Sequence, residues 1–282
     1  MDKDAYANIE PLAAPIDPLA PAQLDQPWLH QTIAELYDLF PFDADVPLYL
    51  DLAGAEGGHV LEAACGTGRL VLPLAEAGCT VASVDASPHM LAIARRKLDD
   101  AGPPGLAHAR LVLGDMRDFD LGDRFDLAIV ATKTFGYLLR PSEQMAALHT
   151  VRRHLRPHGL LALDLLHPTG AWLHRPVGEP SRDLLRRVPE RGLVVSRVER
   201  VLHDDPTAQL RVVRSDYELV WDDGKVERRS TVWPFRYTFP LEVERLLHRA
   251  GFDLEGMYGG YDGEPLEAGS NVLLALARRR ER

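Results

Sequence analysis

Between residues 58 and 166, short β-rich runs alternate with stretches of helical period. The runs 59–63, 80–84, 109–113, 125–130 and 160–166 read as strands. Helices are expected over 69–77, 88–100 and 142–155. Strands that alternate with helices in this way pair in parallel through right-handed crossovers, so both faces of the sheet must be covered. The helix starts agree with that reading. Ser87-Pro88 supplies an N-cap and a first-turn proline, and Pro141-Ser142 opens another amphipathic stretch. Pro73 falls inside 69–77, where it predicts a lost hydrogen bond and a kink.

Outside this region the rhythm differs. Pro11, Pro15, Pro18, Pro21 and Pro27 crowd residues 1–27, which read as an arm. Helices follow at 28–40 and 47–53. The runs 193–203, 210–221 and 226–237 alternate polar with apolar residues, and Asp222-Asp223-Gly224-Lys225 makes a hairpin turn between the last two. A helix at 241–250 and strands at 252–258 and 271–277 complete the chain. The expected division is an arm (1–27), a ligand-binding core (28–166), an antiparallel insert acting as a lid (167–240), and a C-terminal segment (241–282) that completes the core.

The sequence has 282 residues with 32 Lys and Arg against 42 Asp and Glu, a formal charge of −10. Such a chain lacks the positive field that draws proteins to nucleic acid or anionic membranes, so neither partner is expected. The first residues carry Asp2 and Asp4 where a secretory leader needs a basic stretch. The best apolar run, 159–166, is interrupted by Asp164 and is too short to span a bilayer. Cys65 and Cys79 fit no zinc or redox spacing, which suits a reducing cytoplasm. His149, His154 and His158 share no helical face, and no metal is expected.

The densest cluster of chemistry is Glu62-Ala-Ala64-Cys-Gly66-Thr-Gly68, where a strand runs into a helix. Glycine there lets the backbone turn sharply and approach a ligand with no Cβ in the way. Twenty-three residues after Glu62, the next strand ends in Asp85, placed to accept from both ribose hydroxyls of an adenosine. The third strand ends in Gly114-Asp115-Met116, where a carboxylate could accept from an adenine amino group or simply cap a loop. All three lie at carboxyl ends of strands, the edge at which open α/β sheets bind ligands. A dinucleotide fingerprint would need a third glycine where Val71 stands, and no Gly-Lys-Ser/Thr follows. NAD and a nucleoside triphosphate are therefore disfavoured.

These motifs, with Phe125-Asp126-Leu-Ala-Ile-Val130, resemble the ordered motifs of class I S-adenosylmethionine-dependent methyltransferases. Thr134-Phe135-Gly136-Tyr137-Leu138, Leu155-Arg156-Pro157-His158-Gly159 and the segment from Arg236 to Gly263 are similar to that family's small-molecule branch, which carries an antiparallel C-terminal insert. The resemblance implies a Rossmann-like, seven-stranded, mostly parallel sheet with helices on both faces and a small antiparallel β insert. It also implies S-adenosylmethionine as methyl donor, with S-adenosylhomocysteine as product.

Carried over, Glu62, Ala64, Gly66 and Gly68 would hold the methionine portion of that cofactor. Asp85 with Ala86 would hold the ribose, and Asp115 with the Met116 backbone the adenine. The turn around Thr132 would meet the amino group through carbonyls. Tyr37 would fold over the cofactor, or serve as a half-buried core aromatic. The family usually has glycine where this chain has Ala64, which fits if its backbone angles are ordinary. Methyl transfer is an in-line displacement that needs positioning, and a base only for a protonated acceptor. His167, just beyond the fifth strand, is the candidate base, with a loop histidine outside catalysis as the other reading. Arg236 is the candidate acceptor contact. The expected acceptor is a small molecule bearing an amine or hydroxyl. The alternatives are an RNA or protein acceptor, or cofactor binding without turnover.

Overall fold

The computed structural model describes residues 31–102 and 107–281. The arm at 1–27 and the start of the expected helix at 28 lie outside them. Two sheets organise the described residues. β1 (His59–Ala63), β2 (Thr80–Asp85), β3 (Ala109–Leu113), β4 (Phe125–Val130) and β5 (Leu155–Leu166) run parallel. β10 (Phe252–Tyr258) and β11 (Val272–Arg279) join them, β11 antiparallel to β5 and to β10, so the order is β10-β11-β5-β4-β1-β2-β3. This is the covered parallel sheet that the strand–helix rhythm implies, in the Rossmann-like seven-stranded form that the family resemblance implies. β1 lies between β2 and β4, so the chain's order reverses across it and a crevice opens at its carboxyl end.

Both faces of this sheet are buried, which is why its strands read as near-continuous apolar runs rather than alternating ones. On one face Leu61, Val84, Ala128 and Leu161 pack with Leu148 and Val151 of α5 (Pro141–His154) and with Leu247 of α7 (Pro240–Arg249). On the other, Val60, Val81, Leu127 and Ala162 pack with Tyr49 and Ala53 of α2 (Val46–Ala55), Leu74 of α3 (Val71–Glu76) and Leu98 of α4 (Pro88–Ala101). Ser87 caps α4 by accepting from the Met90 N–H at 3.3 Å.

α3 is shorter than 69–77, and that changes what Pro73 does. Pro73 is the third residue of the helix, among the first-turn positions whose N–H groups have no intrahelical partner. It therefore removes no internal hydrogen bond, contrary to the expected kink.

The second sheet is antiparallel, in the order β6 (Pro180–Val188), β7 (Leu193–Asp205), β8 (Leu210–Trp221), β9 (Val226–Arg236). Gly224, at φ +84°, closes the hairpin between β8 and β9. β6 has no counterpart among the expected strands because Arg186 and Arg187 interrupt its apolar pattern, as charges commonly do on a strand at the edge of a sheet. α1 (Gln31–Tyr37) lies against this sheet, with Leu36 and Leu39 packed on Val188, Leu193, Val195 and Leu219. Short α6 (Gly170–Leu173) follows β5. No helix among the described residues is long and apolar enough to cross a membrane.

Candidate active site

Glu62, near the end of β1, and Asp85, the last residue of β2, are both buried at the crevice. Between them the nucleotide loop folds back, with Ala64 N–H and Cys65 N–H both donating to the Val84 carbonyl at 2.7 and 3.1 Å. Gly66 (φ +56°) turns its N–H onto Asp85 Oδ2 at 2.7 Å, and Ser87 N–H donates to Asp85 Oδ1 at 2.8 Å. Gly68 (φ +78°) lets the loop pass α4, where an added Cβ would stand 3.0 Å from the Ala94 Cβ. A cradle this close to backbone suits a ligand laid along the loop, with Ala86 half-buried beside Asp85.

Ala64 differs from expectation. Its φ is +66°, the left-handed region that glycine enters freely and alanine does not, so its backbone angles are not ordinary. Alanine here is strained even though the chain folds around it.

Burial dominates the ionisation of the acids. It pushes Glu62 up to about 8, against the Arg69 charge and the Ser83 hydroxyl at 3.4 Å, with Asp85 and Asp45 adding to the rise. Asp85 is also raised by burial, offset by its two N–H donors. The Cys65 thiol is held well above its usual range by burial and by Glu62 and Asp85, so it is a small packed side chain and no nucleophile. At Asp115, partial burial works against the charge. Arg117 outweighs it, donating through its backbone N–H at 2.8 Å and its guanidinium Nε at 2.9 Å, and holds the carboxyl below the carboxylate range. Part of the acceptor capacity assigned to adenine is thus engaged within the chain. Met116 is half-buried against the core.

A polar network with no local sequence signature runs across the crevice. Arg69 pairs with Asp45 (Nη2 to Oδ2, 2.7 Å) and donates to the Phe42 carbonyl and Thr132 Oγ1, each at 3.0 Å. Thr132 and Lys133, in the turn after β4, are left-handed at φ +57° and +61°. The Thr132 N–H donates to Asp164 Oδ2 at 2.9 Å, and the Tyr261 hydroxyl donates to the same oxygen at 3.0 Å. Tyr37 sits at the end of α1 in this neighbourhood, its phenol raised by burial against the pull of Arg69 and Thr132. α1 is tied to the nucleotide loop through Thr67 Oγ1 to Asp38 Oδ1 at 2.7 Å, with Lys97 Nζ at 2.9 Å from Asp38. Only the tertiary fold shows these links, because the partners lie 24 to 97 residues apart.

His167 lies half-buried just past β5, with Nδ1 at 2.8 Å from the Ser270 carbonyl. A carbonyl only accepts, so Nδ1 carries a proton and Nε2 is the ring nitrogen free to exchange one. Arg236 is not placed to meet an acceptor. It is buried and donates to Gln209 Oε1 at 3.1 Å, to Glu242 at 2.7 Å and to the Ala208 carbonyl at 2.6 Å, which ties β9 to α7. Arg211 is likewise buried, bonded to Asp204 and stacked 4.1 Å from the Trp172 ring. Tyr137, Trp233, Phe235, Trp172 and Tyr237 form an aromatic cluster in edge-to-face contacts with centroids 5.3 to 6.5 Å apart, in which Phe235 and Tyr237 are buried and Trp172 and Trp233 half-buried. His154 is structural, accepting from Leu121 N–H at 3.1 Å and bonded to the Thr150 carbonyl at 2.8 Å. Among the described residues, no group of three or more His, Cys, Asp and Glu could hold a metal.

Residues 60–159 match the family model of a methyltransferase domain. A putative methyltransferase of Geobacillus sp. (strain WCH70) is 30% identical, over 89% of this chain and 99% of its own length. The dTDP-3-amino-3,6-dideoxy-alpha-D-glucopyranose N,N-dimethyltransferase of Streptomyces fradiae is 29% identical, over 84% of this chain and 90% of its own. The solved structure of the CcbJ methyltransferase from Streptomyces caelestis superposes with a TM-score of 0.73 at 26% identity, covering 88% of this chain and 96% of that one. With its crevice, glycine loop and paired acids, the chain belongs to the class I S-adenosylmethionine-dependent methyltransferases.

Proposed function

We propose that this methyltransferase N-methylates an amino group on a small, sugar-like acceptor, and that Glu62, Ala64, Gly66, Gly68, Asp85, Ala86, Asp115, Met116, Thr132 and Tyr37 form the cofactor side of its site. The observation that carries the acceptor reading is the likeness to the amino-sugar N,N-dimethyltransferase. It covers 84% of this chain, far beyond the nucleotide-binding half. The aromatic cluster supports it, because the half-buried rings of Trp172 and Trp233 suit the apolar C–H face of a pyranose and favour an approaching cationic amine.

S-adenosylmethionine supplies the electrophilic methyl when bound. The chain's own part is to orient and to manage a proton. Asp85 sets the ribose end and the glycine loop the methionine end, while α1 and the antiparallel sheet close over them and exclude water. Alignment of acceptor, methyl and sulfur by such positioning accounts for several orders of magnitude in rate. His167 Nε2, left as an acceptor by the Nδ1 bond to Ser270, takes the proton that an ammonium must lose before it can attack. The domain division follows the same logic, with residues 167–240 as the acceptor lid.

The test is incubation with labelled S-adenosylmethionine and a pair of dTDP-linked sugars that differ only in bearing an amine or a hydroxyl. Mass spectrometry showing one or two methyl groups added to the amine alone is the expected result. Methylation of the hydroxyl sugar, or of neither, overturns the acceptor reading while leaving the family intact.

A further inference from the structure

Asp164 is the last acid before the end of β5, and its side chain is fully buried. Oδ2 accepts two hydrogen bonds, from Thr132 N–H and from the Tyr261 hydroxyl. Among the described residues Oδ1 has no partner, and neither has the buried Tyr49 hydroxyl of α2. A buried carboxylate with one orphaned oxygen is costly, because the lost hydration of that oxygen goes uncompensated. Lys133 on the same turn, Tyr261 on the C-terminal loop, Asp45 before α2 and Tyr49 on α2 are the titratable groups whose fields reach it. Arg69, paired with Asp45 and acting on both Tyr49 and Tyr261, is a second cation beside Lys133.

What this arrangement holds is equally uncommon. Two consecutive residues with side chains, one of them β-branched, sit in the left-handed region at Thr132 and Lys133. Each conformation brings Cβ too close to the backbone, and such strain persists only where neighbouring structure imposes it. Arg69 grips Thr132 at its hydroxyl and Asp164 at its N–H, and Tyr37 also reaches its side chain. Tyr261 in turn orients Asp164 and packs on Phe42, with centroids 5.8 Å apart. Phe42 lies under the Arg69 guanidinium at 5.5 Å. A closed set of contacts from four separate segments therefore converges on one strained turn at the crevice.

We infer that Asp164 is a positioning residue for methyl transfer: its carboxylate anchors the left-handed turn at Thr132 and Lys133, Tyr261 orients the anchor, and the turn so held sets the methionine end of the cofactor. Asp164 touches neither reactant and acts through the turn. The inference is independent of which acceptor is methylated, because its readout is cofactor binding.

The experiment is calorimetric titration of the full chain with S-adenosylhomocysteine, run on the wild type and on Asp164→Ala, Asp164→Asn, Lys133→Gly and the Asp164→Ala/Lys133→Gly double variant. Asp164→Ala is expected to bind about tenfold more weakly, as loss of a hydrogen bond to a charged group implies. Asp164→Asn keeps an oxygen acceptor and should stay within about threefold of the wild type. Measured against the Lys133→Gly single variant, the double variant should recover about threefold or more of the Asp164→Ala deficit, because glycine adopts the left-handed conformation without an anchor. A residue that merely filled space would show no such rescue. Wild-type affinity in Asp164→Ala, Asp164→Asn as weak as Asp164→Ala, or a deficit untouched by Lys133→Gly each overturns the inference. If Asp164→Ala does not fold, Tyr261→Phe decides. It keeps the ring against Phe42 and removes the donor, so about threefold weaker binding supports the anchor and unchanged binding overturns it.

Discussion

Single residues at the crevice make sharp, separable predictions. Ala64 stands at φ +66°, so Ala64→Gly should raise unfolding free energy by about 1 kcal/mol, read from denaturant midpoints at constant slope. Unchanged or lowered stability would show that alanine is unstrained there. At the ribose end, Asp85→Ala should weaken S-adenosylhomocysteine by about tenfold or more, through lost charged hydrogen bonds. NAD is the control ligand for that titration. Glu62 predicts a proton event. Burial holds its carboxyl up to about 8, and a cationic amino group bound beside it favours the ionised form. Cofactor binding at pH 7 should therefore release protons, seen as a binding enthalpy that varies with buffer ionisation enthalpy. Glu62→Gln should abolish that variation.

Some of these residues are legible in the amino-acid order itself. Glu62, Asp85 and the glycines stand where strand meets helix, and that position alone assigns them to the ligand edge of the sheet. Asp164 shows in the sequence only as a charge breaking an apolar run. Its partners Thr132 and Tyr261 lie 32 and 97 residues away, so its role is a product of packing. Arg236 misleads for the same reason. Nothing local reveals that Gln209 and Glu242 absorb its guanidinium.

At the scale of elements, close approach decides function. An added Cβ at Gly136 would stand 2.2 Å from the Phe235 ring, so the turn after β4 and the antiparallel sheet touch with no room between them. Gly136→Ala should displace that sheet, lowering kcat/KM for the acceptor about tenfold or more while leaving S-adenosylhomocysteine affinity within about threefold. Equal loss of both would mean that the contact supports the cofactor side instead. The strands and helices of the core are legible because a sheet covered on both faces demands long apolar runs with capped helices between them. β6 is not, since an edge strand tolerates charges that erase its pattern. α3 is shorter than its periodicity suggests, because Pro73 marks its first turn and not its middle.

Across the whole molecule, buried acids govern how the unliganded protein responds to pH. Glu62 and Asp164 have folded-state values raised by burial to about 8 and about 6. Above the ordinary carboxylate values the folded chain keeps protons that the unfolded chain has lost, so stability falls as pH rises, up to about 6 through Asp164 and up to about 8 through Glu62. His154 works the other way. Burial lowers it, so its contribution is complete above the ordinary histidine value and is lost as pH falls below it. Melting temperature without ligand should therefore decline between pH 6.5 and 8, and Glu62→Gln should flatten that decline. A wild-type melting temperature that rises across the same window would contradict the assignment.

The amino-acid order alone determined the doubly covered parallel sheet, its ligand edge and the class of cofactor. The sheet and its edge follow from periodicity and from where short motifs stand in the chain, and the cofactor class follows from the resemblance those motifs bear to a known family. The tertiary structure decided which polar groups remain available to a ligand. It locks Arg236 and Arg211 into the fold, sets Ala64 in a strained conformation and gathers Arg69, Thr132, Asp164 and Tyr261 around one turn. Hydrogen-bond partnership and burial depend on contacts between distant segments, and no local pattern encodes them.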